Sequence, residues 1–263
     1  MRSGIIFTNY PVPFEDGTIR SLRTATFLIF DKTYGGILFD TGSTYDSEVL
    51  INSIYEISGL RADEIRWIFN THIHPDHVGN NSLFKNATIV YSKRDRLFYD
   101  ELQEAAFSDI DFLEHLHNVC PGYRGVINRF DSEKIRLSLT LHYNHERLGL
   151  KNSTKIIEDN PDIPHFITPV PLFGHTFYHT GFLIKRKIDF LVSGDACTSR
   201  FIYKGDDSKR LGEPHVDFTD YFKSLETVRN FTGVIVPGHD NPFHSSTLQR
   251  VKPDELELLA LPI

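Results

Sequence analysis

Four apolar segments of the chain each lead into a short polar motif that contains histidine or aspartate. The first segment, IRWIF at 65–69, is followed by THIHPDH at 71–77. The other three are followed by GHT at 174–176, GDA at 194–196 and PGHD at 237–240. Short apolar runs bounded in this way are typical of buried strands. The pattern therefore predicts a sheet core that brings its polar residues to one edge.

Strands and helices are predicted to alternate along the chain. Apolar residues at helical spacing indicate helices at 47–58 and 218–228 and a helical region at 94–122, and 78–84 resembles a helix start. The glycine pair at 35–36 indicates a turn between two strands. The predicted strands cover 24–30, 37–40, 65–69, 87–91, 135–143, 166–170, 181–184, 190–193 and 234–236. We therefore expect an α/β fold in which helices cover layered sheet.

Composition limits the class of protein. The chain has 263 residues, of which 40% are hydrophobic, and its sequence contains no repeat or Gly/Ser linker, so we expect one domain over 1–263. Its 35 acidic residues outnumber 28 basic ones, and the net charge of −7 does not favour a nucleic-acid partner. The sequence contains neither an apolar run of membrane-spanning length nor a signal-peptide core, so we expect a cytoplasmic protein without a membrane partner. Cys120 and Cys197 lie too far apart to indicate a cysteine metal site.

The histidines and aspartates of the four motifs have the chemistry of metal ligands. Imidazole and carboxylate groups suit zinc, and also iron or manganese. In extended backbone His72 and His74 point the same way and can hold one ion, while Asp76 and His77 turn toward a second. The predicted ligands are His72, His74, Asp76, His77, His175, Asp195 and His239. Two ions that share one carboxylate would each have about three protein ligands and a position left for water.

These motifs, together with LFDTG at 38–42, resemble those of the metallo-β-lactamase superfamily over roughly residues 20–245. The resemblance implies a four-layer αββα sandwich with metals at the sheet edges. Under this resemblance one ion is bound by His72, His74 and His175, the other by Asp76, His77 and His239, and both by Asp195. Flavodiiron proteins carry glutamate at the position of His74, so a redox di-iron centre is not favoured.

The interval from His77 to His175 is longer than in compact members of the superfamily such as glyoxalase II. The excess, at about 94–165, contains many aromatic residues. We predict a helical insertion that forms a lid over the metals and supplies a partly apolar pocket for a small-molecule substrate. The alternative is a helical segment that packs its own aromatic residues. The same surface could support a homodimer.

The resemblance implies a metal-dependent hydrolase in which a hydroxide between two Zn²⁺ ions attacks a small ester, lactone or thioester. Asp76 would bind metal and carry a proton to the leaving group. Asp40 is expected either to orient a ligand histidine or to end its strand. Thr198 stands where acyl-homoserine lactonases carry tyrosine, which weakens a lactonase assignment. Two alternatives stay open: a phosphodiesterase or ribonuclease of the same fold, and a mono-iron, oxygen-dependent sulfur enzyme.

Overall fold

The computed structural model describes residues 3–13, 16–108, 112–119, 136, 148–149, 152–205 and 215–261. The strands in these ranges are β1 (Gly4–Pro13), β2 (Ile19–Asp31), β3 (Gly35–Phe39), β4 (Ile65–Phe69), β5 (Thr88–Tyr91), β6 (Thr154–Ile156), β7 (Ile167–Pro171), β8 (Thr180–Ile184), β9 (Phe190–Gly194), β10 (Val234–Pro237) and β11 (Phe243–His244). The helices are α1 (Ser47–Ser58), α2 (Pro75–Val78), α3 (Lys93–Phe107), α4 (Phe112–Val119), α5 (Arg200–Lys204), α6 (Phe218–Arg229) and α7 (Pro253–Leu259).

The strands form two sheets. The first has the order β1-β2-β3-β4-β5-β6, and the second has the order β11-β10-β9-β8-β7. Strands β3 to β6 run parallel, as do β9 and β10, and β7 shares their direction because β8 is antiparallel to both β7 and β9. In each sheet the strands that precede the polar motifs therefore end at one edge, which is where ligands bind in sheets of this kind.

Side chains on successive strand positions enter different layers of the molecule, because they point to opposite faces of the sheet. On β2, Phe27 lies between the two sheets with its ring centroid 5.5 Å from that of Phe190. The next residue, Leu28, packs on the other face with Leu50 of α1. On β9, Leu191 lies in the cluster that includes α6. The order helix, sheet, sheet, helix confirms the predicted αββα sandwich.

Most predicted elements occur where the sequence places them, and α1 has the predicted bounds. The helix start predicted at 78–84 is wrong, because α2 begins at Pro75, inside THIHPDH, and ends at Val78. Proline suits the first helical position because its fixed φ fits a helix and its missing N–H is not needed there. The turn predicted at 35–36 is also misplaced, since Gly35 already pairs with Asp31 in the β2–β3 ladder.

The region predicted as an insertion contains α3, α4 and β6. Strand β6 pairs with β5, so it extends the first sheet rather than a lid. Helices α3 and α4 pack against the THIHPDH segment through a cluster that contains Ile73, Val78, Phe98 and Leu116. The strand predicted at 135–143 lies outside the described residues except for Arg136, which is helical. Within the described ranges, every helix is too short or too polar to cross a membrane.

Candidate metal centre

The predicted ligands converge where the two sheets meet at one edge. Thr180 N donates to Thr71 O at 2.8 Å, and Ala25 N donates to Gly238 O at the same distance, so backbone bonds join the sheets on both sides of the cluster. The candidate ligand atoms form two groups, each with its atoms within 4.8 Å of one another. One group is His72, His74, His175 and Asp195, and the other is Asp76, His77 and His239. The grouping matches the ligand sets that the resemblance implies, and the binding of ions by them stays a prediction.

Three ring nitrogens face one another in the first group. His74 Nδ1 lies 2.8 Å from His72 Nε2 and 3.0 Å from His175 Nε2. Burial lowers the pKa of His72 and of His175 well below the usual value, and it lowers the pKa of His74 to about 4. Burial thus favours the neutral form of all three rings, whose lone pairs can bind a divalent cation.

The second group is anchored by Thr24 on β2. Its hydroxyl donates to Asp76 Oδ2 at 2.7 Å, and the same oxygen lies 3.5 Å from His77 Nε2. Burial opposes the charged form of His77 and His239, but the nearby carboxylates outweigh it. Asp195 above all raises the pKa of His77 well above its usual value and that of His239 to about 9. The carboxylates of Asp195 and Asp76 thus favour the protonated form of both rings.

Asp195 lies between the two groups. Its Oδ2 is 3.3 Å from His175 Nε2 and 3.0 Å from His239 Nε2, and its Oδ1 is 3.4 Å from His77 Nε2. Asp195 Oδ1 and His77 Nε2 are buried, and neither has a hydrogen-bond partner among the described residues. Buried polar atoms normally have a hydrogen-bond partner, because leaving them without one is costly. A cation between these two atoms would satisfy both, so the residues present fit a metal centre.

Hydrogen bonds behind the rings direct His72 and His239 toward the cluster. His239 Nδ1 lies 2.8 Å from Arg23 O, a carbonyl that can only accept, so Nδ1 carries the proton and Nε2 faces Asp195. His72 Nδ1 lies 3.0 Å from the Thr71 hydroxyl, which donates to Asp40 Oδ2 at 2.8 Å. Such partners fix the tautomer that leaves the other nitrogen free to bind metal.

Asp40 orients a candidate ligand directly, which is one of its two expected roles. Its Oδ2 accepts a hydrogen bond from His77 Nδ1 at 2.8 Å, and its Oδ1 accepts one from Thr71 N at 2.8 Å. The residue is buried, with a φ of 59° that few non-glycine residues adopt. The end of β3 is therefore shaped to bring this carboxylate behind THIHPDH.

Two further histidines support the cluster and were missed from the sequence. His179 Nε2 accepts a hydrogen bond from Asp195 N at 3.0 Å, and its ring stacks 4.9 Å from that of His72. His215 Nδ1 lies 3.2 Å from His175 Nδ1, and its ring stacks 3.6 Å from that of Tyr221. His179 follows His175 closely in the chain, a signal that could have been used, whereas His215 carries none.

Helix α3 reaches the cluster from the region predicted as a lid. The Tyr99 ring packs edge-on against that of His74, with centroids 5.5 Å apart. Tyr178, two residues beyond the GHT motif, packs 5.6 Å from Phe173 and lies 5.1 Å from the guanidinium of Arg94. The described part of the predicted lid therefore borders the His74 side of the centre, while the remainder falls outside the described residues.

Two solved structures share this fold. The hydrolase AbOPH of the beta lactamase superfamily superposes with a TM-score of 0.62 at 16% identity, over 92% of this chain and 89% of that one. The dizinc quorum-quenching lactonase AidC superposes with a TM-score of 0.58 at 19% identity, over 80% of this chain and 69% of that one. At these identities the likeness shows the fold alone.

Sequence comparison gives a family. A probable metallo-hydrolase of Methanocaldococcus jannaschii is 34% identical over 68 residues, which span 26% of this chain and a third (33%) of that protein's length. The sequence model of the metallo-beta-lactamase superfamily matches residues 22–239. The match runs from β2 through His239 and so includes every residue of the two ligand groups. The chain therefore belongs to the metallo-beta-lactamase superfamily.

Proposed function

We propose that this protein is a metal-dependent hydrolase that holds two divalent ions and cleaves a small ester, lactone or thioester. The position of Asp195 carries the proposal. Its two oxygens lie 3.0 Å from His239 Nε2 in one group, 3.3 Å from His175 Nε2 in the other, and 3.4 Å from His77 Nε2. One carboxylate shared by two imidazole-rich groups suits a pair of zinc ions, and iron or manganese would also accept these ligands.

The reaction requires a nucleophile, a stabilised carbonyl oxygen and a route for one proton. When bound, the two ions supply an activated water and polarise the carbonyl of the substrate. Asp76 is 6% exposed, and Thr24 fixes one of its oxygens. Its carboxylate would take the proton that the attacking water releases. It would then transfer that proton to the oxygen or sulfur that leaves the cleaved acyl group.

The residues of the cluster and a structural neighbour with a bound product both support this substrate class. The AidC structure contains the product N-hexnoyl-L-homoserine, which is consistent with lactones as one candidate for this fold. Thr198 is buried, and its carbonyl accepts a bond from His239 N at 2.9 Å. This position therefore contacts His239 through its backbone and lacks the tyrosine of the lactonases. Esters and thioesters therefore remain candidates beside lactones.

The two alternative activities have less support. A net charge of −7 does not favour the long polyanionic substrate of a ribonuclease. A mono-iron enzyme would use the first group alone, yet Asp76, His77 and His239 converge as a second group with a shared carboxylate beside it.

A substrate panel with metal control tests the proposal. Purified protein would be assayed against short-chain aryl esters, γ-lactones, acyl thioesters and a phosphodiester before and after chelation. We expect turnover of at least one carbonyl substrate, its loss on chelation and its recovery on adding back zinc. Turnover confined to the phosphodiester would favour the phosphodiesterase alternative. Turnover that persists after complete metal removal would contradict a metal-dependent mechanism.

A further inference from the structure

Asp95, at the start of α3, belongs to neither ligand group and yet contacts both loops of the first one. The residue is fully buried. Its Oδ2 accepts a hydrogen bond from Ile73 N at 3.1 Å, and its Oδ1 accepts a longer one from Tyr178 N at 3.4 Å. Ile73 stands between His72 and His74, and Tyr178 follows the loop of His175. One carboxylate thus joins two chain segments that lie far apart in sequence.

The start of α3 is itself held in place. Asp95 N donates to Ser92 Oγ at 3.2 Å, and the same hydroxyl donates to Glu158 Oε1 at 2.6 Å. Glu158 also accepts bonds from Lys93 N and Arg94 N at 3.1 and 3.2 Å. The glutamate therefore caps the free N–H groups of the helix and ties them to the segment that follows β6. These bonds hold Asp95 in place, so its carboxylate can position the two loops that it contacts.

The same face of α3 makes a second contact with the first group. Tyr99 lies one helical turn after Asp95, and residues four apart share a helix face. Its ring centroid is 5.5 Å from that of His74. The hydrogen bond to Ile73 N and this ring contact act on the His72–His74 loop from the same helix. Helix α3 therefore positions that loop through Asp95 and orients the His74 ring through Tyr99.

We propose that Asp95 is a positioning residue for the first metal site. His74 Nδ1 and His175 Nε2 lie 3.0 Å apart although 101 positions separate them in the chain. The bond from Thr180 N to Thr71 O joins the two segments on one side, and Asp95 joins them on the other. Removing the carboxylate leaves the buried N–H of Ile73 and the partly buried N–H of Tyr178 without this acceptor and lets the loops move apart.

Metal binding tests this inference, which rests on the metal centre of the proposed function and not on its substrate. Zinc affinity would be measured by competition with a chromophoric chelator for Asp95→Ala, Asp95→Asn and the wild type, and the coordination geometry would be followed by the absorption of bound Co²⁺. We expect Asp95→Ala to weaken the binding of one of the two ions by about 10–100-fold, because loss of a supporting hydrogen bond has this effect in other metal sites. Asp95→Asn keeps one acceptor oxygen and should weaken it less.

A neighbouring carboxylate supplies the control. Asp100 lies on the same helix and accepts a bond from Arg96 Nε at 2.7 Å. Asp100→Asn should leave both affinities and the Co²⁺ spectrum unchanged. If Asp95→Ala fails to fold, Asp95→Asn decides the matter. Wild-type affinity for both ions and an unchanged Co²⁺ spectrum in the folded variant would overturn the inference, even if its melting temperature falls. Failure of the proposed function would instead appear as a wild-type protein that binds ions and cleaves no substrate.

Discussion

Asp40 and His77 form a buried pair in which His77 Nδ1 donates to Asp40 Oδ2 at 2.8 Å. The bond leaves His77 Nε2 facing Asp195 at 3.4 Å. The aspartate directly follows strand β3 and the histidine lies in α2, which follows β4, so neighbouring parallel strands bring them together. This pair links the LFDTG segment to the candidate metal centre.

Removal of this pair should weaken metal binding. We expect Asp40→Ala to lower the affinity of the ion nearest His77 by about 10–100-fold, because the ring loses the acceptor that fixes its tautomer. Asp40→Asn should lower this affinity less, since asparagine tolerates the φ of 59° and keeps one acceptor oxygen. Chelator competition measures both. Asp46→Asn is the control, because Asp46 accepts its bonds from exposed Asn9. Equal affinities in Asp40→Ala and the wild type would show that Asp40 does not support metal binding.

Asp76→Asn tests the proposed route of the proton. The amide keeps the size of the side chain and cannot take up a proton near neutral pH, so kcat should fall by about 10²–10⁴-fold on the best substrate. Thr24→Val, which removes the donor at 2.7 Å from Asp76 Oδ2, should give a smaller fall. Circular dichroism and metal content would accompany the kinetics. Wild-type kcat in a folded, metal-loaded Asp76→Asn protein would show that Asp76 carries no proton.

The two groups should lose their ions at different pH values. Metal binds neutral imidazole, so protons compete for His239 below its pKa of about 9 and compete similarly for His77. In the first group the pKa of His74 is about 4, and burial keeps those of His72 and His175 low, so protons compete there only in acid. Zinc content after dialysis at pH 9, 7 and 5 should fall from two ions toward one. Simultaneous loss of both ions, or earlier loss from the three-histidine group, would contradict this order.

Gly238 leaves room for the shared carboxylate. A Cβ at this position would overlap Asp195 Oδ1. Gly238→Ala should therefore displace Asp195 and lower the affinity of both ions rather than of one. Gly17→Ala controls for general destabilisation, because its φ of 80° strains any added side chain while the new Cβ meets nothing within 4 Å, and both ions should stay bound. Two tightly bound ions in Gly238→Ala would mean that Asp195 does not lie between the metals as proposed.

Much of the fold and the convergence of the ligands could be predicted from the sequence. Each motif follows an apolar strand, and strands such as β4, β9 and β10 run in directions that bring their ends to the edges where the two sheets meet. The start of α2 was missed because the apolar period begins at Val78, whereas the helix begins at Pro75. Local signals identify the strand ends but not the first residue of so short a helix.

Asp40 is predicted as a supporting residue, whereas Asp95 and His215 could not be predicted in the same way. An acidic residue in the first turn of a helix, such as Asp95, is usual because it favours the helix dipole, and nothing local shows that it contacts Ile73 and Tyr178. His215 reaches His175 across 40 positions through the packing of its segment on Tyr221. Such contacts arise from tertiary packing alone, so residue spacing does not reveal them.

The metal content of the purified, unsupplemented protein distinguishes a dinuclear centre from a mononuclear one. Elemental analysis would be referred to protein concentration from amino-acid analysis, with Asp195→Ala as the variant that lacks the shared carboxylate. We expect about two divalent ions per chain, with zinc as the metal, and a large loss of metal in Asp195→Ala. One iron per chain, with the Asp76, His77 and His239 group binding nothing, would contradict the dinuclear centre and favour the mono-iron alternative.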